Sequence, residues 1–334
     1  MRSESSTVPT SLEAIRGELS HAKLSTSTLN LIVWVDDPER REWVLERADK
    51  LGRKHPSFTL VLDNTGARRS GATITTGWHD AEHAQVTVRG ERVEVDVAGA
   101  TPETIVSYVA ALCSATVPTL LWWTGSTEEN ELVFLALLPF AGTLLVDSSG
   151  EVREASEVRH LAQFHGEHHE VALRDLAWLR LRPWQDMIAN FFDDPNLLSE
   201  LYSIRRLRIS SGSDAEAYYL AGWLASRLGW SATGRDAFAD GEGNIVQFER
   251  ARAGEIRRVQ SVCLDSETSW YHGEVTGEEP NVVRVWVEGE HARDPRLFTL
   301  QAIDNASLLE RAVLESGTDD LFETALRSAG TLLG

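Results

Sequence analysis

Two hydrophobic runs joined by a helical segment place the strongest constraint on the fold of this chain. Leu29 to Val35 is apolar and rich in β-branched residues, and it ends at Asp36-Asp37-Pro38, which is typical of a strand followed by a helix start. Glu39 to Lys54 has apolar side chains at helical spacing, and Phe58 to Asp63 predicts a second buried strand. This βαβ unit predicts two parallel strands linked by a right-handed crossover.

The residues that follow predict more strands and helices around the same sheet. Gln85 to Val97 alternates around Gly90-Glu91 and predicts an antiparallel hairpin, which would make the sheet mixed. Thr101-Pro102-Glu103 combines a helix cap, a first-turn proline and an acidic first turn, so a helix to about Ala115 is expected. A strand, a helix and a strand follow at Thr119–Trp123, Glu128–Phe140 and Thr143–Asp147. The predicted N-terminal domain is a mixed-sheet layered α/β domain.

The second half of the chain has the pattern of an antiparallel sheet with covering helices. Ile204 to Ser210 alternates as a strand, and Ser213 to Leu228 predicts an amphipathic helix that ends at Gly229. Period-two strands are predicted at Ile245–Ala251, Glu255–Asp265, Ser269–Thr276 and Val282–Glu288, and closing helices at Asp304–Ser316 and Thr318–Leu332. The C-terminal part is therefore predicted to be an α+β domain.

A chain of 334 residues exceeds the size at which single cores stop growing, so two domains are expected. We place them at residues 1–172 and 173–334, with residues 1–20 as a flexible tail. The second domain includes the helix that follows the junction.

The charge balance bears on the kind of partner. With 51 acidic against 32 basic residues the formal net charge is −19, a field that repels phosphate backbones and anionic membrane surfaces. Neither nucleic acid nor a membrane is an expected partner. Only two cysteines are present and the N-terminal residues lack a secretory pattern, so a cytoplasmic protein is predicted.

The turn after the first buried strand argues against a dinucleotide site. Such a site needs a glycine-rich turn, because the backbone must approach the pyrophosphate closely. Here the turn is Asp36-Asp37-Pro38-Glu39, whose carboxylates repel phosphate. No GxGxxG or GxxxxGKS sequence occurs, and we predict no cofactor.

The segment Asp175 to Asp194, DLAWLRLRPWQDMIANFFDD, concentrates residues typical of interfaces. Trp178, Arg180, Arg182 and Trp184 lie in or beside an ordered, extended junction. The junction leads into a helix started by Pro183, with apolar positions at Met187, Ile188, Phe191 and Phe192. The sequence does not decide whether these tryptophans pack inside the protein or contact a partner.

Three other groups are candidates for chemistry. His165 and His169 would share a helical face, as zinc ligands do, although a solvated junction segment is the alternative. Cys113 on a helix and Cys263 in a strand are read as small buried residues or as redox sites. Arg206 and Arg208 share one strand face, where they could bind a carboxylate or phosphate, solubilise an edge or pair with acids.

Three segments in order carry a resemblance to a known family. They are HPSFTLVLD from His55, VPTLLWWTG from Val117 and DLAWLRLRPWQDMIANFFDD from Asp175. With these segments the chain resembles the OpcA family of glucose-6-phosphate dehydrogenase assembly proteins. One departure is Phe58, which stands where a basic residue is expected after His-Pro-Ser.

The resemblance implies a non-catalytic bacterial protein of two domains. It would bind glucose-6-phosphate dehydrogenase and promote its assembly or activate it allosterically, supporting NADPH production in the oxidative pentose phosphate pathway. We place the partner-binding residues at Trp178, Arg180, Arg182, Trp184, Arg206 and Arg208, with Trp122 and Trp123 supporting them from the core. The alternative is an enzyme, or a protein that binds a small ligand or sugar phosphate, with its site between the two domains.

Overall fold

The structure is a computed structural model that describes residues 2–21, 27–66, 71–80, 87–150, 154–234, 236–253, 258–277, 279, 281–301, 304–315 and 317–334. Two compact units are assembled from interleaved segments of the chain. The first unit comprises Met1–Val146, Glu170–Arg174 and Asn305–Gly317. The second comprises Asp147–His169, Asp175–Asp304 and Thr318–Gly334. The predicted domain boundary between residues 172 and 173 stays a prediction.

The described residues form sixteen strands and eleven α-helices. The strands are β1 (Arg2–Val8), β2 (Leu29–Val35), β3 (Ser57–Asp63), β4 (Ala72–Asp80), β5 (Thr87–Asp96), β6 (Thr119–Trp123), β7 (Thr143–Val146), β8 (Ala172–Asp175), β9 (Arg206–Ser211), β10 (Ser231–Gly234), β11 (Ala237–Ala239), β12 (Ile245–Arg252), β13 (Val259–Asp265), β14 (Ser269–Val275), β15 (Val282–Gly289) and β16 (Arg293–Thr299). The helices are α1 (Leu12–His21), α2 (Pro38–Lys54), α3 (Pro102–Leu112), α4 (Glu131–Leu137), α5 (Glu154–Glu167), α6 (Leu176–Arg180), α7 (Arg182–Phe191), α8 (Pro195–Leu198), α9 (Asp214–Leu228), α10 (Asn305–Leu314) and α11 (Asp320–Leu333). Short 3-10 helices lie at Leu138–Phe140, Ser148–Gly150 and Ser199–Ser203.

The first unit is built on an eight-stranded sheet in the order β1-β4-β5-β3-β2-β6-β7-β8. β5, β3, β2, β6 and β7 pair in parallel, whereas β4 is antiparallel to both β1 and β5. The direction of chain progression reverses beside β2, with β3 and β5 on one side and β6 and β7 on the other. This is the order of doubly wound α/β folds, whose ligands bind beyond the carboxyl ends of the strands at the reversal.

The central strands β2 and β3 are continuous hydrophobic runs because both of their faces are covered. All residues of β3, and all of β2 after Leu29, are buried. α2 starts at the N-cap Asp37, whose Oδ1 accepts a hydrogen bond of 2.8 Å from Glu39 N, and Pro38 occupies its first turn. The predicted parallel βαβ unit is confirmed.

Two predictions for the first unit are wrong. Gly90-Glu91 lies inside the single strand β5 and forms no hairpin turn, because β4 pairs along one side of it and β3 along the other. Gln85 lies outside the described residues. Residues 1–20 were predicted to be a flexible tail, but the described part of this segment forms β1, which pairs with β4, and most of α1, which is anchored by the fully buried Ile15.

The second unit is built on another eight-stranded sheet, in the order β10-β11-β12-β9-β13-β14-β15-β16. β9 and β12 are parallel, and the other neighbouring strands are antiparallel. α9 packs against β9, and its Tyr218 ring lies 5.4 Å from that of Phe248 in β12. α9 begins at the N-cap Ser213 and ends at Gly229, whose φ of 69° is left-handed.

Three details of the second half differ from prediction. β9 and β12 form a parallel pair, because α9 lies between them in the sequence and permits a crossover. α10 packs against α2 in the first unit, so α11 is the closing helix that joins the second unit, against α5 and α9. Leu176–Arg180 is helical, and not extended, because the Asp175 side chain caps it at Ala177 N.

The predicted fold class is confirmed: a layered α/β unit on a mixed sheet, then a largely antiparallel sheet with covering helices. Among the described residues, no helix has both the length and the apolar character needed to cross a lipid bilayer.

Candidate functional site

In the first sheet, the order of the strands reverses beside β2, and the space at the carboxyl ends of β2 and β6 is filled by the protein's own side chains. Asp36 follows β2 and Gly125 follows β6, and a Cβ at Gly125 would overlap the Asp36 carboxylate. Asp36 Oδ2 accepts hydrogen bonds from Asn130 Nδ2 at 2.9 Å and Trp34 Nε1 at 3.3 Å. Burial raises the pKa of Asp36 above its ordinary value. A carboxylate is therefore packed at the point where a doubly wound fold usually receives its ligand.

The N-terminus of α2 carries acidic groups of its own. Asp37 caps the helix, and Glu39 lies in the first turn. Arg40 Nη1 donates to the Thr124 carbonyl at 3.2 Å, which ties α2 to the end of β6. A phosphate placed at this helix end would meet two carboxylates. This geometry supports the inference that the turn is not a dinucleotide site.

The junction segment folds into the second unit and holds its helices together. Trp178 is 5% exposed, and its Nε1 donates to Asp319 Oδ2 at 3.0 Å. Its ring lies 5.4 Å from Phe322 and 6.5 Å from Tyr219. Because Asp319 is also the N-cap of α11, Trp178 fixes the start of that helix.

Arg180 is the centre of a buried ion network. Its Nε donates to Glu216 Oε1 at 3.0 Å, and its Nη2 donates to Ser149 Oγ and pairs with Asp147 Oδ1. Nearby Asp147 and Glu216 outweigh the cost of burial and hold the pKa of Arg180 above its ordinary range. Burial raises the pKa of Glu216, although Arg180 and Arg258 oppose that rise. The network joins the junction helix α6 to α9.

Asp175 is a second buried carboxylate at the start of the junction. Its Oδ1 accepts from Ser148 N at 3.2 Å and Ala177 N at 2.8 Å, and its Oδ2 accepts from the Tyr219 hydroxyl at 2.8 Å. Burial, with a smaller contribution from Asp147, raises the pKa of Asp175 to about 6.

Trp184 is also buried, at 5% exposure, and lies against β14. A Cβ on Gly273 would come within 3.5 Å of its ring, so the glycine lets the indole approach the sheet. Arg182 is half-buried. Trp122 and Trp123 are each 1% exposed, which confirms that they belong to a core. Partner contact by Trp178, Arg180, Arg182 and Trp184 stays a prediction, and burial gives three of them internal packing roles.

Arg206 and Arg208 lie on a different surface, the outward face of the second sheet. β9 alternates strictly, with Leu207 and Ile209 buried and the two arginines facing outward. We call this surface the open face and define it by Arg206, Arg208, Cys263, Trp270, His272 and Trp286. β9 is an interior strand, so its arginines do not protect a sheet edge.

The charges of the open face are paired across strands. Arg208 Nη2 donates to both carboxylate oxygens of Asp265 at 3.1 Å. Arg206 Nε lies 3.1 Å from Glu249 Oε1, and Arg284 Nη2 lies 3.3 Å from Glu274 Oε2. Burial alone would lower the pKa of Arg208, but the hydrogen bonds and attraction to Asp265 outweigh burial and raise that pKa above its ordinary value. The structure therefore shows Arg206 and Arg208 paired with acidic side chains, which is one of the roles predicted for them.

Aromatic side chains occupy the middle of the open face. Trp270 is 43% exposed. His272 stacks on Trp286, with ring centroids 4.7 Å apart and planes within 12°. Arg284 Cζ lies 4.9 Å from the Trp286 ring. Ile245 and Leu297, at 52% and 69% exposure, add apolar surface toward the two sides of the sheet. Such a centre of aromatic residues with paired charges around it is typical of protein interfaces.

Trp270, His272 and Trp286 were not predicted from the sequence. The signal was available, because SWYHGEV and VVRVWVEG alternate, and every second residue had to share the face that Arg206 and Arg208 occupy. What the sequence lacks is the strand register, which sets Cys263 opposite His272 and His272 opposite Trp286.

The four cysteine and histidine candidates, Cys113, Cys263, His165 and His169, differ in their surroundings. Both cysteines are free thiols. Burial raises the pKa of Cys113 to about 12 and also raises that of Cys263, whose Sγ lies 3.4 Å from His272 Nδ1. His165 is buried in α5 with its Nε2 3.4 Å from Glu323, while His169 is exposed beyond the end of the helix. Within the described ranges, no group of three or more His, Cys, Asp or Glu residues is arranged to hold a metal ion.

Comparison with protein families assigns both halves of the chain. Residues 48–163 match the family model described as the N-terminal domain of a glucose-6-phosphate dehydrogenase subunit, OpcA_G6PD_assem. Residues 171–326 match the corresponding C-terminal domain, OpcA_G6PD_C. The chain belongs to the OpcA family. The resemblance seen in the three sequence segments is thereby confirmed.

Curated relatives of this OpcA-family chain come from cyanobacteria. A "Putative OxPP cycle protein OpcA" of Synechocystis is 35% identical over 39% of this chain and 27% of the relative. A protein of the same description from Nostoc punctiforme is 32% identical over 55% of this chain and 40% of the relative. The matched regions thus span less than half the length of these relatives.

Two of the solved structures that match this chain are described as a ketoreductase and an oxidoreductase. KijD10, a 3-ketoreductase from Actinomadura kijaniata, has 14% sequence identity and a TM-score of 0.49 over 92% of this chain and 96% of its own. An NAD-binding oxidoreductase from Klebsiella pneumoniae has 11% identity and a TM-score of 0.48, over 91% and 94%.

Proposed function

We propose that this chain binds glucose-6-phosphate dehydrogenase through the open face of its second sheet. The observation that carries the proposal is the exposure of an aromatic centre on that face. Trp270 is 43% exposed although large aromatic side chains gain most from burial. Arg206 and Arg208 on the same face are already paired with Glu249 and Asp265, so a partner needs to desolvate few unpaired charges.

The open face is large enough for a specific interface of modest size. The six longer strands, β12, β9 and β13 to β16, extend about 24 Å across and about 23 Å along the strands. The flat area is therefore about 550 Å², roughly two-thirds of the ~800 Å² which each partner contributes to a standard interface.

The identity of the partner is supported by the family. Both matching models are described as domains of a glucose-6-phosphate dehydrogenase subunit, and the cyanobacterial relatives are described as proteins of the OxPP cycle. On this proposal the chain has no catalytic role of its own. It supports NADPH production in the oxidative pentose phosphate pathway by acting on the dehydrogenase.

Assembly and activation follow from one thermodynamic requirement. A binding protein shifts its partner toward an active conformation or oligomer only by binding that state more tightly than the others. A rigid sheet is suited to this, because its side chains are held in fixed register and bind a matching surface without first being ordered.

The test is to mix the chain with the dehydrogenase encoded in the same genome. Light scattering gives the mass of the complex, and enzyme velocity is measured across substrate concentrations with and without the chain. We expect a complex with a lower apparent KM or a higher kcat. A complex without kinetic change would remove the activating role, and absence of any complex would contradict the proposal.

A further inference from the structure

One helix of the first unit, α4, is apolar on both of its faces. Its inner face is buried at Phe134 and Leu137, and Leu138 in the 3-10 helix that follows is buried as well. Its outer face carries Leu132, which is 76% exposed, and Leu135, which is 40% exposed. A helix that is hydrophobic all round is normally buried, whereas a surface helix has polar residues on its outer face. The outer face of α4 is therefore apolar surface that the chain leaves uncovered.

The exposed leucines of α4 are neighbours rather than scattered residues. Leu132 and Leu135 are three positions apart, and side chains at this spacing lie beside each other on a helix. Pro139, four positions further in the 3-10 helix, is also exposed. We call this surface the α4 stripe and define it by these three residues. Side chains at i, i+3 and i+7 are the usual anchors of a helix that packs against a partner.

The charges beside the α4 stripe are negative. Residues 93–152, which include α3, β6, α4 and β7, contain no lysine, arginine or histidine. Glu128, Glu129 and Glu131 lie at the start of the stripe and are exposed. No ion pair joins these three carboxylates to another residue that the structure describes. The stripe is therefore bordered at this end by carboxylates that are available to a partner.

The nearest arginines are directed to backbone groups. Arg16 Nη2 donates to the Ala111 carbonyl at 2.9 Å, at the end of α3. Arg40 Nη1 donates to the Thr124 carbonyl at 3.2 Å, just after β6. These contacts tie α1 and α2 to neighbouring elements, and the arginines leave the glutamates beside the stripe without a cation.

Charge decides which kind of partner fits the α4 stripe. A second copy of this chain, packed stripe to stripe, would bring two sets of glutamates together, and the net charge of −19 would add to the repulsion. A partner with lysine or arginine beside its own apolar surface would instead pair with Glu128 and Glu129 while covering Leu132 and Leu135. The complementary surface is therefore basic as well as apolar.

We propose that the α4 stripe is a docking surface for a basic amphipathic helix of another protein, with apolar side chains on Leu132 and Leu135 and lysine or arginine beside Glu128 and Glu129. A helix fits because the row of side chains on α4 can pack into the groove of a facing helix. The stripe belongs to the first unit and the open face to the second, so this proposal goes beyond binding of the dehydrogenase, and either can fail without the other.

The probe is a synthetic, fluorescently labelled helical peptide with a row of leucines at i, i+3, i+4 and i+7 and lysines on both sides of that row. The matched probe has glutamate in place of every lysine. Fluorescence anisotropy with the full chain should show saturable binding of the lysine peptide, at least about tenfold tighter than that of the glutamate peptide and weakened by added salt. No saturable binding of the lysine peptide, or equal binding of both peptides, would overturn the proposal.

Variants locate the site. Leu132→Gln combined with Leu135→Gln replaces exposed apolar side chains with a good helix former and should weaken binding of the lysine peptide at least about tenfold. Glu128→Gln combined with Glu129→Gln should weaken it several-fold and reduce its salt dependence. Leu314→Gln is the matched control, a 61% exposed leucine on α10, and should bind as the original chain does.

Two results would refute the assignment. One is unchanged peptide affinity in the variant with both leucines of the stripe replaced. The other is a dimer of the chain alone, measured by light scattering, that this variant dissociates, because a second copy would then be the occupant of the stripe.

Discussion

The two sheets of this protein have the same number of strands but opposite exposure. In the first, β3 is buried along its whole length, and β2 is buried after its first residue. In the second, β9 and β12 alternate between buried and outward-facing residues. A sheet covered on both faces serves stability, whereas a sheet with one uncovered face has side chains available for a partner. This difference in exposure supports the proposal that the second sheet binds the partner.

Two tryptophans provide the largest expected contrast. Trp123 in β6 is 1% exposed and stacks on Trp34 at 4.8 Å, so Trp123→Ala should lower the free energy of unfolding by up to about 5 kcal/mol. Trp270→Ala on the open face should lower it by less than about 1 kcal/mol. Urea denaturation measures both. Equal losses would show that Trp270 is a core residue and that the contrast between the sheets is wrong.

The second contrast concerns ion pairs. Arg41 lies 2.6 Å from both Asp63 and Glu94, whose side chains are 1% and 2% exposed. Arg41→Ala removes the guanidinium from these two buried carboxylates and should lower the free energy of unfolding by about 3 kcal/mol. Arg208→Ala removes a pair in which the arginine is 41% exposed and should cost about 0–1 kcal/mol. A loss below about 1 kcal/mol for Arg41→Ala in urea denaturation would contradict this ranking.

The third contrast is between two buried aspartates with opposite pKa shifts. Arg41 and Thr65 overcome burial and lower the pKa of Asp63 below 3.8, so its stabilisation is present above that pH and is lost as the pH falls through the folded-state pKa. Burial raises the pKa of Asp175 to about 6, so ionisation destabilises the folded state progressively from about pH 4 to above pH 6.

Asparagine variants measure this difference directly. Asp63→Asn should lose most stability near neutral pH and little near pH 3. Asp175→Asn keeps an oxygen for Ala177 N and Ser148 N, and should gain about 1–3 kcal/mol relative to the original chain between about pH 4 and pH 7. Asp175→Ala, which removes the acceptor, is the control. Parallel pH profiles of unfolding free energy for the two asparagine variants would contradict the assignment.

Sequence patterns were sufficient for most of the fold because they act locally. Asp37 before Pro38, and Ser213 with Gly229, mark the ends of α2 and α9 as the structure has them. The failures are cases in which distant pairing decides. Gly90 belongs to a strand because it pairs with Gly77 of β4, and α10 leaves the second sheet because α2 offers it another surface.

The candidate site was harder to predict from sequence than the fold. Trp178 and Arg180 have the composition of an interface, yet their partners Asp319 and Glu216 come from far along the chain and bury them. Arg206 and Arg208 were recognised by their spacing, whereas Trp270 and Trp286 join them only through the strand register. Composition identifies residues able to form interfaces, and tertiary packing decides which of them remain exposed.

The most direct test measures the dissociation constant between Trp270→Ala and the cognate glucose-6-phosphate dehydrogenase. Tyr202→Ala is the matched control, because Tyr202 is a 68% exposed aromatic residue outside the open face. We predict that Trp270→Ala binds about 30-fold more weakly, the effect of losing a contact of about 2 kcal/mol, while Tyr202→Ala binds as the original chain does. Unchanged affinity of a folded Trp270→Ala protein would contradict the proposal that the open face binds the enzyme.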